Sequence, residues 1–300
     1  MIARRAVLRG LGALAAAPLL TGPVRAEIAL GDGASLVTVS DGHLILPPDL
    51  VFGPMPQEEL AEALRPLGIA PTDRLEPACN VTLLRRGDRV VLFDAGAGPD
   101  FQPTAGHLAA ALEVAGITAD AVTDVIFTHA HPDHLWGVLD GFDEPTFPRA
   151  RHHIGAVERA YWSDPATVQS IDPARQSFVV GAARRIEALG ERISILRAGL
   201  EPVPGVEVIE TFGHTPGHLS FQIEDVLILG DALSNHHVAF ARPAWNSGSD
   251  QDMPTAAQTR VRLLDRIVAD DLRIVGFHLP GGGIGRVEPR ERGFRFVPGD

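Results

Sequence analysis

The segment Thr128-His129-Ala130-His131-Pro132-Asp133-His134 places four side chains that can bind a metal ion within six residues. It continues from the apolar stretch Val125–Thr128, which is predicted as a buried strand. On extended chain, His129 and His131 project to the same side, because side chains two residues apart share a face. Asp133 and His134 then begin the next predicted helix. A fold that contains this segment must end a strand in a loop that aims these groups at one point.

Three more metal-binding side chains follow predicted strands farther along the chain. His214, in Gly213-His214-Thr215-Pro216-Gly217-His218, comes after Val206–Thr211. Asp231 follows Val226–Leu229, and His278 follows Leu272–Phe277. Each stands beside glycine or proline where an apolar strand stops, so each emerges at a sheet edge. The seven positions predict a metal site of five histidines and two aspartates: His129, His131, Asp133, His134, His214, Asp231 and His278.

Strand-like and helix-like segments alternate from Ser35 to Val297, without an internal repeat or a linker between two cores. Predicted hairpins join Ser35–Ser40 to His43–Leu46 through Asp41-Gly42, and Asn80–Leu84 to Val90–Asp94. The predicted helices are Gln57–Leu67, His107–Ala115, Ala156–Trp162, Pro173–Leu189 and Thr255–Val268. We therefore expect residues 27–300 to form a single domain that mixes helices and strands.

The first 26 residues have the pattern of a secretory signal. A basic start containing Arg4-Arg5 is followed by an apolar run from Gly10 to Leu20 and by small residues up to Ala26. The paired arginines are typical of the twin-arginine route, which exports folded proteins. The pattern predicts cleavage after about Ala26 and a periplasmic location. No other stretch approaches the roughly 18 apolar residues that a membrane span needs, so none is expected in the mature chain.

Composition excludes several classes of function. Removing the four arginines of the signal leaves 22 basic residues against 38 acids, a net charge of −16. Such acidity argues against nucleic acid as a partner, because its binding needs basic surface. The chain has no lysine, so no protein lysine can form a Schiff base. Cys79 is the only cysteine, which excludes an internal disulfide and a thiolate metal cluster.

The order His129-x-His131-x-Asp133-His134, His214, Asp231, His278 resembles the metallo-β-lactamase superfamily. The resemblance extends from the Asn80–Asp94 hairpin to Val287. Its closest likeness is to the branch that holds methyl parathion hydrolase and the N-acyl homoserine lactonases. Thr146-Phe147-Pro148-Arg149-Ala150, with Glu158 and Trp162 behind it, also looks like that branch. The resemblance implies an α+β fold, a four-layer αββα sandwich with two mixed sheets between outer helices.

The resemblance also implies how two metal ions would be held. One would be bound by His129, His131 and His214, and the other by Asp133, His134 and His278, with Asp231 as the bridge between them. Zinc is the first expectation for this imidazole and carboxylate set, and manganese, cobalt and iron are alternatives. The true β-lactamases usually carry serine or cysteine in place of the bridging aspartate, which separates this chain from them.

The implied function is hydrolysis of a small molecule with an ester-like bond: a lactone, a carboxylic ester or an organophosphate triester. Two cations about 3.5 Å apart can share a hydroxide that attacks the substrate. Asp231 and Asp133 are the candidate catalytic residues, with Asp133 or a nearby water passing a proton to the leaving group. The alternative is a mononuclear iron oxidoreductase of the persulfide dioxygenase kind, which shares the fold but leaves Asp133 and His278 out of metal binding. A non-catalytic binding protein is disfavoured because all seven ligand positions are filled. The oligomeric state stays open, with a homodimer among the alternatives.

Other residues receive secondary assignments. His236 and His237 are candidates for the mouth of the site, and Tyr161 for an oxyanion donor. We expect His218 to support the site without binding metal. Four aromatic residues are candidates for pocket walls or for the core: Phe52, Trp136, Phe147 and Trp245.

Overall fold

The computed structural model describes residues 24–299, so most of the predicted signal lies outside the described residues. A first sheet of seven strands is arranged in chain order, antiparallel from β1 to β4 and parallel from β4 to β7. Its strands are β1 (Val24–Ala29), β2 (Ser35–His43), β3 (Ala78–Arg86), β4 (Arg89–Phe93), β5 (Asp124–Ile126), β6 (Arg151–Gly155) and β7 (Ile193–Leu196). The predicted cleavage point after Ala26 falls within β1.

A second sheet of six strands has the order β13-β12-β11-β10-β9-β8. Its strands are β8 (Glu207–Glu210), β9 (Leu219–Ile223), β10 (Val226–Ile228), β11 (Arg273–Val275), β12 (Ile284–Pro289) and β13 (Phe294–Pro298). In it, β10 and β11 are parallel neighbours and the other pairs are antiparallel. Both sheets are therefore mixed.

Eight α-helices connect the strands in the described part of the chain. They are α1 (Pro48–Phe52), α2 (Gln57–Leu64), α3 (Leu108–Val114), α4 (Pro132–Leu135), α5 (Ala156–Ser163), α6 (Thr167–Ser170), α7 (Gln176–Leu189) and α8 (Met253–Ala269). The start of α8 is capped by Asp252, whose carboxylate accepts a hydrogen bond from the backbone nitrogen of Thr255. Within residues 24–299, none of the helices is both long and apolar enough to cross a membrane.

Apolar side chains divide the molecule into four layers. The facing sides of the two sheets share one core, in which the rings of Phe93 and Phe221 are 5.4 Å apart. The outer face of the first sheet packs against α3 and α7, and that of the second sheet against α8 through residues such as Leu264. Each sheet thus buries both faces, which is why its strands carry apolar residues on both sides. The predicted αββα sandwich is confirmed.

The predicted hairpin at Asp41-Gly42 is wrong. Strand β2 continues to His43 with an irregular register between Ser40 and Gly42. Asp41 is fully buried, and its carboxylate accepts hydrogen bonds from the backbone nitrogens of Ala97, Gly106 and Leu108. An Asp-Gly pair favours a turn because the aspartate side chain can hydrogen-bond to nearby backbone groups. Here the Asp41 carboxylate instead accepts hydrogen bonds from residues 97–108, and the strand continues.

The chain between β2 and β3 carries α1 and α2 and forms a small apolar cluster of its own. Its buried members are Val51, Phe52, Met55, Leu60, Leu64 and Leu75, together with Val238. This segment, residues 47–77, lies over one end of the sandwich and supplies a wall of the cavity described below. We refer to it as the wall segment.

Candidate metal centre

The loops that follow four strands meet at one edge of the sandwich. The first histidine segment follows β5, His214 follows β8, Asp231 follows β10 and His278 follows β11. Since β10 and β11 are parallel neighbours, their carboxyl ends lie side by side and bring Asp231 and His278 together. The Thr128 carbonyl accepts a hydrogen bond from the backbone nitrogen of Leu219 at 2.8 Å, which ties the first loop to the second sheet.

Three imidazoles form the first donor set. Nδ1 of His131 lies 3.0 Å from Nε2 of His129 and 3.0 Å from Nε2 of His214. One ring nitrogen can share at most one proton along its lone-pair direction, so the two contacts cannot both be hydrogen bonds of that nitrogen. Nitrogens bound about 2.0–2.1 Å from one cation lie roughly 3.3 Å apart, close to the spacing found.

The second donor set combines carboxylates and imidazoles. Asp133 Oδ2 lies 3.4 Å from Nε2 of His134 and 3.2 Å from Nε2 of His278. Asp231 Oδ1 lies 3.3 Å from Nε2 of His134, and its Oδ2 lies 3.4 Å from Nε2 of both His278 and His214. Asp231 therefore lies beside both donor sets, which is the position that the family resemblance implies for the bridge.

Buried atoms without partners indicate that cations belong here. Asp133 Oδ2, His134 Nε2 and Asp231 Oδ1 are buried and have no hydrogen-bond partner among the described residues. Leaving such groups unpaired is costly, and a cation in each donor set removes the cost. The structure brings all seven predicted side chains together, and groups of their donor atoms lie close enough to hold divalent metal ions.

The pKa shifts of His129 and Asp231 suit cation binding, whereas nearby carboxylates outweigh burial and raise the pKa of His134 and His278. Burial and the neighbouring His134 and His131 hold the pKa of His129 well below its usual value, so this imidazole is neutral. Burial raises the pKa of Asp231, but the nearby His278 and His134 outweigh it and hold the pKa well below the usual value. Metal ligands must be neutral imidazoles or ionised carboxylates, the states found for these two side chains.

Most of the histidines are oriented by a partner on the ring nitrogen that faces away from the centre. Asp94 Oδ2 lies 2.8 Å from Nδ1 of His134, and Asp250 Oδ1 lies 3.1 Å from Nδ1 of His214. The Ala78 carbonyl accepts from Nδ1 of His278 at 2.7 Å. Each partner fixes the ring tautomer and leaves Nε2 for a metal ion. Asp94 and Asp250 could not be recognised from the sequence, because they lie 40 and 36 residues from the histidines that they orient.

His131 is the exception, because it turns Nδ1 to the centre. Its Nε2 must then carry the proton, and it lies 3.2 Å from Nε2 of Gln251. Two donors would face each other there, while Oε1 of Gln251 is buried without a partner. The opposite orientation of the Gln251 amide satisfies both groups, because Oε1 then accepts from His131.

His218 supports the bridge from behind, in agreement with the expectation that it binds no metal. Its Nε2 accepts a hydrogen bond from the backbone nitrogen of Asp231 at 2.9 Å. That tautomer leaves Nδ1 to donate to the hydroxyl of Thr211 at 2.8 Å. Burial and the charge of His214 hold the pKa of His218 well below its usual value, which keeps this neutral form.

Glu158 ties together the loops that carry the ligands. Its Oε1 accepts from the backbone nitrogen of Ala130 at 2.8 Å and from the indole nitrogen of Trp162 at 2.6 Å. Its Oε2 accepts from the Thr215 hydroxyl at 2.7 Å and from the backbone nitrogen of Gly217 at 3.0 Å. Four donors satisfy this fully buried carboxylate, so it joins the first histidine loop to the His214 loop.

A cavity of about 820 Å³ opens onto the donor sets. His131, Asp133, His214, Asp231 and His278 line its inner end. Its walls include Leu44, Leu46, Leu50, Ile69, Phe101 and Phe178. The size and apolar walls are typical of a site for a small organic molecule.

The secondary assignments have mixed outcomes. His236 and His237 line the cavity, as expected for its mouth. Tyr161 packs at the edge of the core and does not line the cavity, so the structure does not support an oxyanion role. The four aromatic candidates are not among the residues that line the cavity. Phe52, Trp136 and Phe147 are buried, and Trp245 packs beside the wall segment. The aromatic residues of the cavity wall are Phe101 and Phe178.

Cys79 occupies an unexpected position. The thiol is buried in β3, and its sulfur lies within 4.8 Å of donor atoms of Asp133 and His278. The exclusion of a thiolate cluster still holds, because Cys79 is a single thiol. The sequence did not predict its position at the edge of the second donor set. Burial raises the pKa of Cys79 to about 11 despite the opposing effect of His278, so the thiol is protonated at neutral pH.

Comparison with known proteins places this centre in a family. An uncharacterised protein of Mycobacterium bovis is 28% identical over 236 residues, 72% of this chain and 91% of the relative. AidC, a dizinc quorum-quenching lactonase in complex with N-hexanoyl-L-homoserine, matches with a TM-score of 0.84 at 23% identity, over 92% of this chain and 97% of its own. The hydrolase AbOPH matches with a TM-score of 0.84 at 25% identity, over 93% and 98%. The family model of the metallo-beta-lactamase superfamily matches residues 75–278, and the chain belongs to this superfamily.

Proposed function

We propose that this protein is a hydrolase that binds two divalent metal ions, with zinc preferred, and cleaves the ester-like bond of a neutral small molecule. The observation that carries the proposal is the position of Asp231, whose two oxygens lie 3.3–3.4 Å from nitrogens of both donor sets. A carboxylate between two cations offsets their mutual repulsion. The one-metal alternative could also use Asp231 as a ligand, but it leaves the neighbouring Asp133 and His278 without a metal ion.

The two donor sets would hold the cations, which when bound would lower the pKa of a water molecule and polarise the oxygen of the scissile group. The protein supplies the geometry for this chemistry. Asp94 and Asp250 hold His134 and His214 in fixed orientations, so the donor sets need little rearrangement. Asp133 and Asp231 line the cavity, where a carboxylate can take the proton of the attacking water and pass it to the leaving group.

The cavity favours uncharged substrates with an apolar body. Leu44, Ile69 and Phe178 are among its apolar walls, and its lining also includes the acidic Asp49 and Asp73. Acidic side chains disfavour the approach of anions. Lactones, carboxylic esters and organophosphate triesters meet these conditions. Acylated lactones are natural first probes, because the fold neighbour AidC holds the product of one.

The test is a panel of chromogenic esters, lactones and phosphotriesters with protein loaded with zinc, manganese or cobalt. We expect turnover of at least one class that disappears with a chelator and returns with metal. Asp231→Asn should reduce this turnover. Asp225→Asn is the matched control and should not reduce it, because Asp225 is a half-exposed carboxylate paired with Arg273 away from the centre. Protein with two bound metals and no turnover of any class would contradict the proposal.

Metal counting separates this proposal from the iron oxidoreductase alternative. That alternative leaves Asp133 and His278 without a metal, whereas here Asp133 Oδ2 and His278 Nε2 lie 3.2 Å apart with Asp133 Oδ2 unpaired. We expect about two metal ions per chain by mass spectrometry. One iron per chain and oxygen consumption with a persulfide would favour the alternative.

A further inference from the structure

Arg175 lines the cavity that opens onto the donor sets. It ends the short 3₁₀ turn Pro173–Arg175 before α7, and this turn is capped by the carboxylate of Asp172. The side chain is partly buried and lines the same cavity as His131 and His214. One of its N–H groups donates to the Gly248 carbonyl at 2.6 Å, which fixes the guanidinium against the loop that leads to Asp250.

Arg74 and Arg175 both line the cavity, but their guanidinium groups differ in their hydrogen-bond partners. Arg74 is exposed and donates through two nitrogens to Glu76, at 3.2 and 2.7 Å. In residues 24–299, no carboxylate oxygen lies within 4.0 Å of the Arg175 guanidinium, and its one hydrogen bond to a protein group is that to Gly248. A guanidinium has five N–H groups, so Arg175 retains donors for a ligand.

A further observation places the Arg175 turn beside the first donor set. Phe178, three residues farther along the chain, packs its ring 5.9 Å from that of His131. A substrate whose reacting group lies at the donor sets would therefore have the guanidinium of Arg175 and the ring of Phe178 available in the same cavity.

We propose that Arg175 is a substrate-orienting residue that donates hydrogen bonds to a carbonyl oxygen of an acyl group, a few bonds away from the scissile bond. The inference rests on the proposed hydrolase function and narrows its substrate class to acylated lactones or esters. A neutral carbonyl fits better than a carboxylate, because Asp49, Asp73 and Asp172 also line the cavity and disfavour anions. The carbon chain of the acyl group then lies against Phe178 and Phe101.

Calorimetric titration with ring-opened products tests this without requiring turnover. Metal-loaded protein is titrated with N-hexanoyl-homoserine, which carries the acyl carbonyl, and with 4-hydroxybutyrate, which lacks the acyl group. Both carry the carboxylate that ring opening creates, so any cost of bringing an anion into the cavity is common to the two ligands and the difference between them reports on the acyl group. We expect Arg175→Met to weaken the first by at least about tenfold and the second by less than about twofold, because a hydrogen bond to a charged group is lost only for the first. Arg175→Lys should be intermediate, and Arg286→Met, the matched control at a guanidinium paired with Asp271 away from the cavity, should resemble the wild type.

The same variants distinguish substrate orientation by Arg175 from a purely structural role of this residue. Equal weakening of both ligands with loss of metal or a lower Tm would mean that Arg175 only supports the loop through Gly248. Unchanged binding of both ligands, or no binding of either by the wild type, would overturn the inference. Binding of the acylated ligand that depends on Arg175, together with no turnover in the substrate panel, would preserve it and refute the hydrolase proposal alone.

Discussion

Asp94 holds the ring of His134 through a contact of 2.8 Å between Oδ2 and Nδ1, and Thr128 holds Asp94 in turn through its backbone nitrogen and hydroxyl. The aspartate has a positive φ of 69° at the end of β4, an unusual conformation for a residue with a side chain. Unusual backbone conformations of this kind cluster at functional sites, and here the carboxylate of Asp94 orients the candidate metal ligand His134.

Removing this support should weaken metal binding. For Asp94→Ala we expect a loss of about 10- to 100-fold in affinity for the metal at the second donor set, because His134 loses its orientation. Competition with a chromogenic chelator measures this. Asp124→Ala is the matched control, since Asp124 is also buried and lies 2.9 Å from His153, away from the centre. Equal losses in both variants would assign Asp94 a purely structural role.

Asp231→Asn tests the bridge. The amide keeps the shape of the side chain but removes the negative charge between the two donor sets. We expect the fold to survive, one metal to be largely lost and hydrolysis to fall by about a hundredfold or more. Metal content, a thermal melt and a hydrolysis assay measure the three effects. A variant that retains two metals and wild-type turnover would show that Asp231 only shapes the turn after Gly230.

Asp41 makes stability depend on pH. Burial raises its pKa from 3.8 to about 6, although three backbone nitrogens oppose the shift. Between those values the folded protein holds the proton and the unfolded chain does not, so the contribution of Asp41 is most favourable below pH 4 and is lost as the pH rises through 6. The unfolding free energy of the wild type relative to Asp41→Asn should therefore fall by up to about 3 kcal/mol from pH 4 to pH 7. Urea unfolding of metal-free protein measures it, and a constant difference would refute the shift.

Export stays a prediction, because residues 1–23 lie outside the described part of the chain. Replacing Arg4 and Arg5 by lysine should trap the precursor in the cytoplasm, since the twin-arginine route reads that pair. Arg25→Lys, a similar change outside the pair, serves as the control. Cell fractionation measures the distribution, and normal periplasmic accumulation of the double variant would refute this route.

The ligands could be found from sequence because each follows an apolar strand. The spacing of His129, His131, Asp133 and His134 predicts a loop at the end of β5, and the structure has it there. The pairing of Asp231 with His278 required the resemblance to a family, since only the parallel contact of β10 and β11 brings them together. Sequence distance carries no information about that neighbourhood.

The supporting residues could not be found in this way. Asp250 resembles any loop aspartate until its contacts with His214 at 3.1 Å and with Arg260 at 2.6 Å are known. Asp41-Gly42 predicts a turn on local grounds, and a loop more than 50 residues away decides otherwise. The local preference of Asp-Gly for a turn is overridden here, because the buried carboxylate of Asp41 accepts hydrogen bonds from distant backbone nitrogens.

The wall segment, residues 47–77, has a small apolar cluster separate from the cores beneath the metal ligands. Leu50 and Ile69 face the cavity from it, whereas Leu60 and Leu64 keep its helices together. Its shape can therefore diverge among descendants of this sequence while the chemistry at the strand ends is conserved. Successive generations could acquire new substrates by remodelling α1 and α2, and the ligand histidines would retain their geometry throughout.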